Sequence, residues 1–185
     1  RGDDLIAFAK IHKLKIGTIA DLIHYRTLKE KTVEKLYSKT ITIDGMSFKL
    51  KAWEDSIFQN LHLTFEVGNI KKSDAPLVRV HVPNVLHDMI GMDGFGKRMD
   101  IKEALKKIHE SKCGVLLMIG TEQKNQSIMM DLEGKKNEPQ PETKTVGIGS
   151  QILKELGLTK IKLLATPVKY PSISGFDLEV IGFEK

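Results

Sequence analysis

Hydrophobic positions along the chain change their period twice. In "DLIAFAKIH", Leu5, Ile6, Phe8, Ala9 and Ile11 recur at the spacing of one helical face, and Asp3 or Asp4 can cap the first turn, so a helix is predicted over about residues 4–12. Thr18 with Asp21 resembles a capping box, and Ile19, Leu22, Ile23 and Tyr25 line a second helix beyond a short extended "KIGT". From Val33 the period becomes two. "KTITIDGMSFKLKAW" sets Asp44-Gly45 between two alternating runs, the strongest local signal for a hairpin, and "LHLTFEV" and "PLVRVHV" alternate in the same way. The simplest arrangement of these four strands is an antiparallel meander with Ile41, Ile43, Phe48, Leu50, Leu63, Phe65, Val78 and Val80 facing one core.

Further along, the two periods interleave. "DIKEALKKIHESK" predicts a helix capped by Asp100 with Glu103, "GVLLMI" a buried strand, and "GSQILKELG" a helix that Gly157 can end; "KIKLLAT" and "DLEVIGF" predict two more strands. The class expected is therefore mixed α/β (α+β): antiparallel strands followed by alternating strands and helices packed in layers. Between Gly120 and Thr145 lies a polar stretch with Pro139 and Pro141, expected to be a long mobile loop. No internal repeat and no phosphate-binding glycine fingerprint is present.

Composition narrows the function classes. A chain of 185 residues with 41% hydrophobic and 29% charged positions is long enough for a sizeable core and carries no apolar run of membrane-spanning length, so no membrane partner is expected. The net charge of +5 comes from scattered lysines, and only 6% of residues are aromatic, which argues against a nucleic-acid footprint. One cysteine, Cys113, excludes an internal disulfide framework and is read as packing between a helix and a strand; with no signal peptide visible, the cytoplasm is the expected compartment. Arg1 opens the chain without a methionine and enters helix-forming sequence within two residues, as a piece of a longer polypeptide would.

The stretch with most candidate chemistry is "HVPNVLHDMIGMDGFGK", at the end of a predicted strand. His81, His87, Asp88 and Asp93 are of metal-binding type, but four ligands must converge for a site, and loop residues of these kinds are more often solvated or hydrogen-bonded. The glycines of "GMDGFGK" are read as turn chemistry. His12, His24, His62 and His109 are assigned to helix or strand surfaces.

Several of these segments resemble known families. "DLIAFAKIHKLKIGTIADLIHYR" is similar to the C-terminal tail of 3,4-dihydroxy-2-butanone 4-phosphate synthase, while "APLVRVH", "EALKKI", "GVLLMI", "GIGSQILKELGLTKIKLLAT" and "GFDLEVIGF" resemble the framework of GTP cyclohydrolase II. The resemblance implies two parts: residues 1–31 as synthase tail and linker, and 32–185 as a GTP cyclohydrolase II-like domain. It also implies an upstream synthase domain as partner, with magnesium as that domain's cofactor, and a homodimer.

Carried over position by position, the resemblance implies an eroded site. The family's three zinc-binding cysteines fall on Asn84, Phe95 and Lys97, none of which supplies a thiolate, so no metal and no cofactor is expected in this region. The guanine- and phosphate-gripping stretch falls on residues 120–124, where Glu122 is kept and Lys124 keeps charge without a guanidinium fork. The family's acid and arginine pair falls on Glu142 and Lys144, its phosphate turn on residues 165–169 ending in Lys169, and its strand arginine on Arg79. The helix that carries a catalytic tyrosine has no counterpart between residues 120 and 145. Arg79, Glu122, Lys124, Lys144 and Lys169 are thus vestigial nucleotide- or phosphate-binding positions, with a weakly bound nucleotide or sugar phosphate as the ligand class. The function implied is a degenerate GTP cyclohydrolase II-like domain with a structural or regulatory role beside a synthase. The alternative is a divergent cyclohydrolase that still hydrolyses GTP.

Overall fold

The structure, a computed structural model, describes residues 2–17, 25, 30–94, 98–120, 125–133, 143–167 and 178–185. The hairpin forms where Asp44-Gly45 predicts it: β1 (Val33–Ile43) pairs antiparallel with β2 (Met46–Asp55), and Asp44 and Gly45 both take the positive φ that such a turn requires. β3 (Leu61–Val67) continues antiparallel on β2. The meander ends there. β4 (Leu77–His81) does not lie beside β3; β5 (Gly114–Met118) inserts between them, antiparallel to β3 and parallel to β4. β6 (Lys160–Leu164) and β7 (Glu179–Glu184) extend the parallel half, giving one seven-stranded sheet in the order β1-β2-β3-β5-β4-β6-β7. The expected four-strand meander is corrected for a physical reason: a helix separates β4 from β5, and a strand-helix-strand crossover brings its strands together in parallel.

That helix, α2 (Ile101–Glu110), opens as predicted, with Asp100 Oδ1 accepting the Glu103 amide at 2.8 Å. It lays Ala104, Leu105 and Ile108 on one sheet face against Phe48, Phe65, Leu77 and Leu116. The expected single core is also corrected. Val78 and Val80 point to the opposite face, where they pack with Trp53, Val115, Leu117 and the helix residues Ile148, Ile152 and Leu153. A sheet buried on both sides needs apolar residues of both parities, which is why β5 is a continuous apolar run.

Between β5 and β6 the long loop is replaced, in its described part, by two helices. α3 spans Asn125–Leu132, and α4 spans Thr143–Glu155, beginning well before the expected start at Gly149. Gly157 (φ +86°) ends α4 as predicted, with its amide on the Lys154 carbonyl and that of Leu158 on Leu153. Gln151 of α4 accepts both the amide and the hydroxyl of Thr32 through Oε1 and donates to the Glu30 carbonyl, which fastens the approach to β1.

α1 (Gly2–Ile11) matches its predicted span. Among its described side chains only Ala9 is buried, while Leu5, Ile6, Phe8 and Ile11 stand exposed. The second helix predicted from Ile19 lies outside the described residues apart from Tyr25, which is helical.

Candidate functional site

β4 delivers its last residue, His81, into the loop that carries the candidate chemistry. His81 is 1% exposed and its Nε2 lies 3.0 Å from Asp88 Oδ2. A carboxylate only accepts, so Nε2 carries the proton and Nδ1 the lone pair; Nδ1 is buried with no hydrogen-bond partner among the described residues. Burial lowers the His81 pKa, Asp88 partly offsets this, and Arg79 and Arg98 add to the lowering, so the imidazole sits below its ordinary value and stays neutral. For Asp88 burial acts to raise the pKa, but the Asn84 amide, His81 and Arg98 outweigh it, and the carboxyl sits below its ordinary value.

The loop itself is a short π-helical turn, Val85–Met89, capped by Asn84. Asn84 Oδ1 accepts the His87 amide at 3.1 Å, its own amide donates to Asp88 Oδ2 at 2.7 Å, and its Nδ2 donates to Asp131 Oδ2 of α3 at 2.7 Å. Asp88 Oδ1 accepts the Ile101 amide, the first of α2, at 3.2 Å. His87 turns away from this pair, its Nε2 lying 3.2 Å from the Arg98 carbonyl, and the Arg98 guanidinium donates to the Val82 carbonyl. Asp93 is exposed in the turn between Gly91 (φ +71°) and Gly94 (φ +105°), glycines that serve the chain reversal expected of them. Of the four metal-type residues, then, His81 and Asp88 meet, and His87 and Asp93 point elsewhere. Among the described residues no three such side chains converge to hold a metal ion.

The family's zinc site is tested most directly at Asn84. Both ends of its carboxamide are engaged, and a neutral amide brings none of the negative charge that a thiolate gives to a zinc ion. Phe95 and Lys97, the other two positions, lie outside the described residues. As far as it is described, the ligand set does not fit zinc.

Among the remaining predicted positions, only Arg79 has a described side chain. Arg79, two residues before His81 on the same sheet face, donates Nη1 to the Leu164 carbonyl at 2.9 Å, so it braces β4 against the end of β6. Glu122, Lys124, Glu142 and Lys169 lie outside the described residues, as does the side chain of Lys144 in the first turn of α4. A helix, α3, lies in the stretch where the family's tyrosine-bearing helix was expected to have no counterpart, and its sequence, "NQSIMMDL", has no tyrosine.

His62 corrects a further expectation. It is fully buried instead of lying on a strand surface: its Nε2 is 3.1 Å from Asp55 Oδ2, and its Nδ1 accepts the Gly120 amide at 3.1 Å. The pair anchors the residue from which the chain enters segment 121–124. His12 is exposed, His109 packs edge-on to Phe48 at 5.7 Å, and Cys113 is half-buried beside the core, while His24 lies outside the described residues.

Comparison with known proteins follows this geometry. The family model for GTP cyclohydrolase II matches residues 34–185. The chain belongs to that family. Its relatives include a Pseudomonas aeruginosa protein named 3,4-dihydroxy-2-butanone 4-phosphate synthase, 37% identical over 99% of this chain and 52% of its own length. Another is the Aquifex aeolicus riboflavin biosynthesis protein RibBA, 34% identical over 98% of this chain and 48% of its own. A crystal structure of RibBX from A. baumannii, described as a two-domain 3,4-dihydroxy-2-butanone 4-phosphate synthase, superposes with a TM-score of 0.68 at 32% identity, covering 100% of this chain and 50% of that one. The chain thus spans about half the length of the curated relatives it matches. No helix among the described residues is long and apolar enough to cross a membrane.

Proposed function

We propose that this chain is a member of the GTP cyclohydrolase II family that has lost GTP hydrolysis and serves riboflavin biosynthesis as the structural or regulatory companion of a 3,4-dihydroxy-2-butanone 4-phosphate synthase module. The observation that carries the reading is Asn84. Where the family resemblance calls for a zinc-bound thiolate, a neutral carboxamide is held at both ends by Asp131 and the His87 amide. A metal-activated water near neutral pH requires an open position on a charged ligand set, and this residue supplies neither.

Support for the companion role comes from α1. Four exposed apolar residues on a helix with one buried side chain need a covering surface, and α1 precedes the region that the family model matches. A synthase module is the occupant favoured by the relatives' names and by the likeness of residues 3–26 to a synthase tail. Magnesium, if used, belongs with that module, and the same reading assigns ribulose 5-phosphate chemistry to it.

The test is GTP consumption and zinc content of the purified chain supplied with excess zinc. The expected result is substoichiometric zinc and no release of formate or diphosphate. Stoichiometric zinc together with turnover would overturn the proposal and establish a divergent active cyclohydrolase.

A further inference from the structure

A cavity of about 330 Å³ opens where β2, β3 and the short turn after β3 meet the end of α4, and no residue of the loop after β4 is among its described lining. Gly68 sets its shape. With φ +70° it turns the chain out of β3, and a Cβ there would fall 2.2 Å from the Lys112 carbonyl oxygen, so no other residue takes this turn without displacing backbone. The 3-10 turn that follows, Ile70–Lys72, buries Ile70 and leaves Lys71 exposed on the rim. The Lys71 stem then lies on Gly157: its Cγ, Cδ and Cε come within 3.5–3.8 Å of the place a Cβ would take there. A stem packed in this way fixes the direction of its ammonium.

Across the cavity, β2 and β3 supply the other charges. In the register Glu66 stands directly opposite Lys49, the position at which opposite charges on antiparallel strands ordinarily pair. Its carboxylate goes to Lys51 instead, with Nζ 2.8 Å from Oε1 and 3.0 Å from Oε2, and Thr64, itself held by Trp53, also donates to it. Lys49 and Lys71 are left exposed with no ion-pair partner among the described residues. Three ammoniums and one carboxylate give the described lining a net charge of +2.

We propose that this cavity binds a small soluble phosphate monoester through Lys49, Lys51 and Lys71. A phosphate monoester carries about −1.5 to −2 charges at neutral pH and accepts through three oxygens, which complements the lining. Lysine binds phosphate as a point charge with rotatable donors, so no forked guanidinium is needed. Lys51, 13% exposed and pinned by Glu66, and Lys71, packed on Gly157, are already ordered, which lowers the entropic cost of gathering them around an anion. Ile70 and Leu156 give an apolar floor for the carbons of the ester. The volume lies at the small end of the range for ligand pockets and suits a short-chain ester in place of a whole nucleotide. Binding here does not depend on whether the chain has lost GTP hydrolysis.

The test is a titration of the isotopically labelled full chain with glycerol 3-phosphate, ionic strength held constant with sodium chloride, followed by backbone amide resonances. Saturable shifts centred on residues 49–51 and 66–72 are expected. Lys49→Gln and Lys71→Gln should each raise the dissociation constant about tenfold. Lys72→Gln removes the same charge just outside the cavity and should leave it within about twofold. Dimethyl phosphate, a diester with a single charge, should bind about tenfold more weakly. Both cavity lysines chosen are exposed, and unchanged resonances elsewhere verify that the variants fold. Shifts that never saturate, shifts centred on Arg79 and His81, an equal loss with Lys72→Gln, or equal affinity for the diester would each overturn the proposal.

Discussion

Gly120 donates its amide hydrogen to Nδ1 of His62 across 3.1 Å, and that single bond decides the tautomer of a fully buried imidazole. With Nδ1 accepting, Nε2 carries the proton and delivers it to Asp55, whose carboxylate also takes the amides of Phe58 and Asn60. The relay ties the β2-β3 connection to the end of β5. Replacing His62 by Ala leaves a carboxylate with no exposed surface short of a donor and opens a cavity, for an expected loss of about 3 kcal/mol. Urea denaturation measures it; a loss below about 1 kcal/mol would show that the relay is not a stabilising element.

Gly120 itself tolerates no side chain. A Cβ there would sit 1.9 Å from the Leu61 carbonyl oxygen, and backbone cannot swing aside as a side chain can. Gly120→Ala is expected to destabilise by about 2–3 kcal/mol and to weaken the His62 contact, seen as a shifted imidazole resonance.

Acid should weaken the fold in two steps. The His81 pKa lies below its ordinary 6.5, so as pH falls past that value the unfolded chain takes up a proton the folded one resists, and stability declines. Asp88 acts in the same direction at lower pH: its carboxyl lies below its ordinary 3.8, and its contribution, complete above that value, disappears as pH drops through the folded value. Arg79 and Arg98 are the charged neighbours of the pair. Thermal midpoints measured from pH 8 to pH 4 should be level above about 6.5 and fall below it, and His81→Gln should flatten the upper part of that fall.

Lys51 and Glu66 form a nearly buried ion pair at 2.8 Å, with Thr64 also donating to Glu66 and Trp53 donating to Thr64. Removing one partner strands a charge, whereas removing both does not. Lys51→Met is expected to cost about 3 kcal/mol, and the Lys51→Met/Glu66→Leu double variant to recover most of it. A double variant as weak as the single would argue that the Thr64 contact, and not the charge pair, dominates.

On α1 the expectation is reversed. Phe8 is 54% and Ile11 75% exposed, so Phe8→Ser with Ile11→Ser should leave the isolated chain's stability within about 0.5 kcal/mol. The same pair should abolish association with a synthase module, measured by analytical ultracentrifugation. A large loss of stability in the isolated chain would place these side chains in a core of their own.

Much of the fold is legible in local pattern because the signals are local. Asp44-Gly45, the Asp100 cap, the Gly157 stop and the alternating runs each depend on residues within a turn or two of one another, and all appear where the spacing puts them. Asn84 is marked in the sequence only as a family zinc position, and its role as the cap of the turn after β4 comes from the structure. Its partner Asp131 lies 47 residues away in a polar stretch with no strong periodicity, and no signal near either residue joins them. His62 sits in a strand that alternates without error, so its sequence neighbours could not report that β5 would cover it and bring Gly120 within reach.

What the amino-acid sequence determined by itself is therefore the inventory: the strands and most of the helices, their caps and turns, and the family. What only the tertiary structure decided is which elements lie side by side. β5 rather than β4 pairs with β3, both sheet faces are buried, and Asn84 and Asp88 after β4 hold their loop to α2 and α3. Pairing and burial depend on contacts between residues far apart in sequence, and a hydrogen bond of 2.7 Å forms only after the helix crossover has brought its ends together.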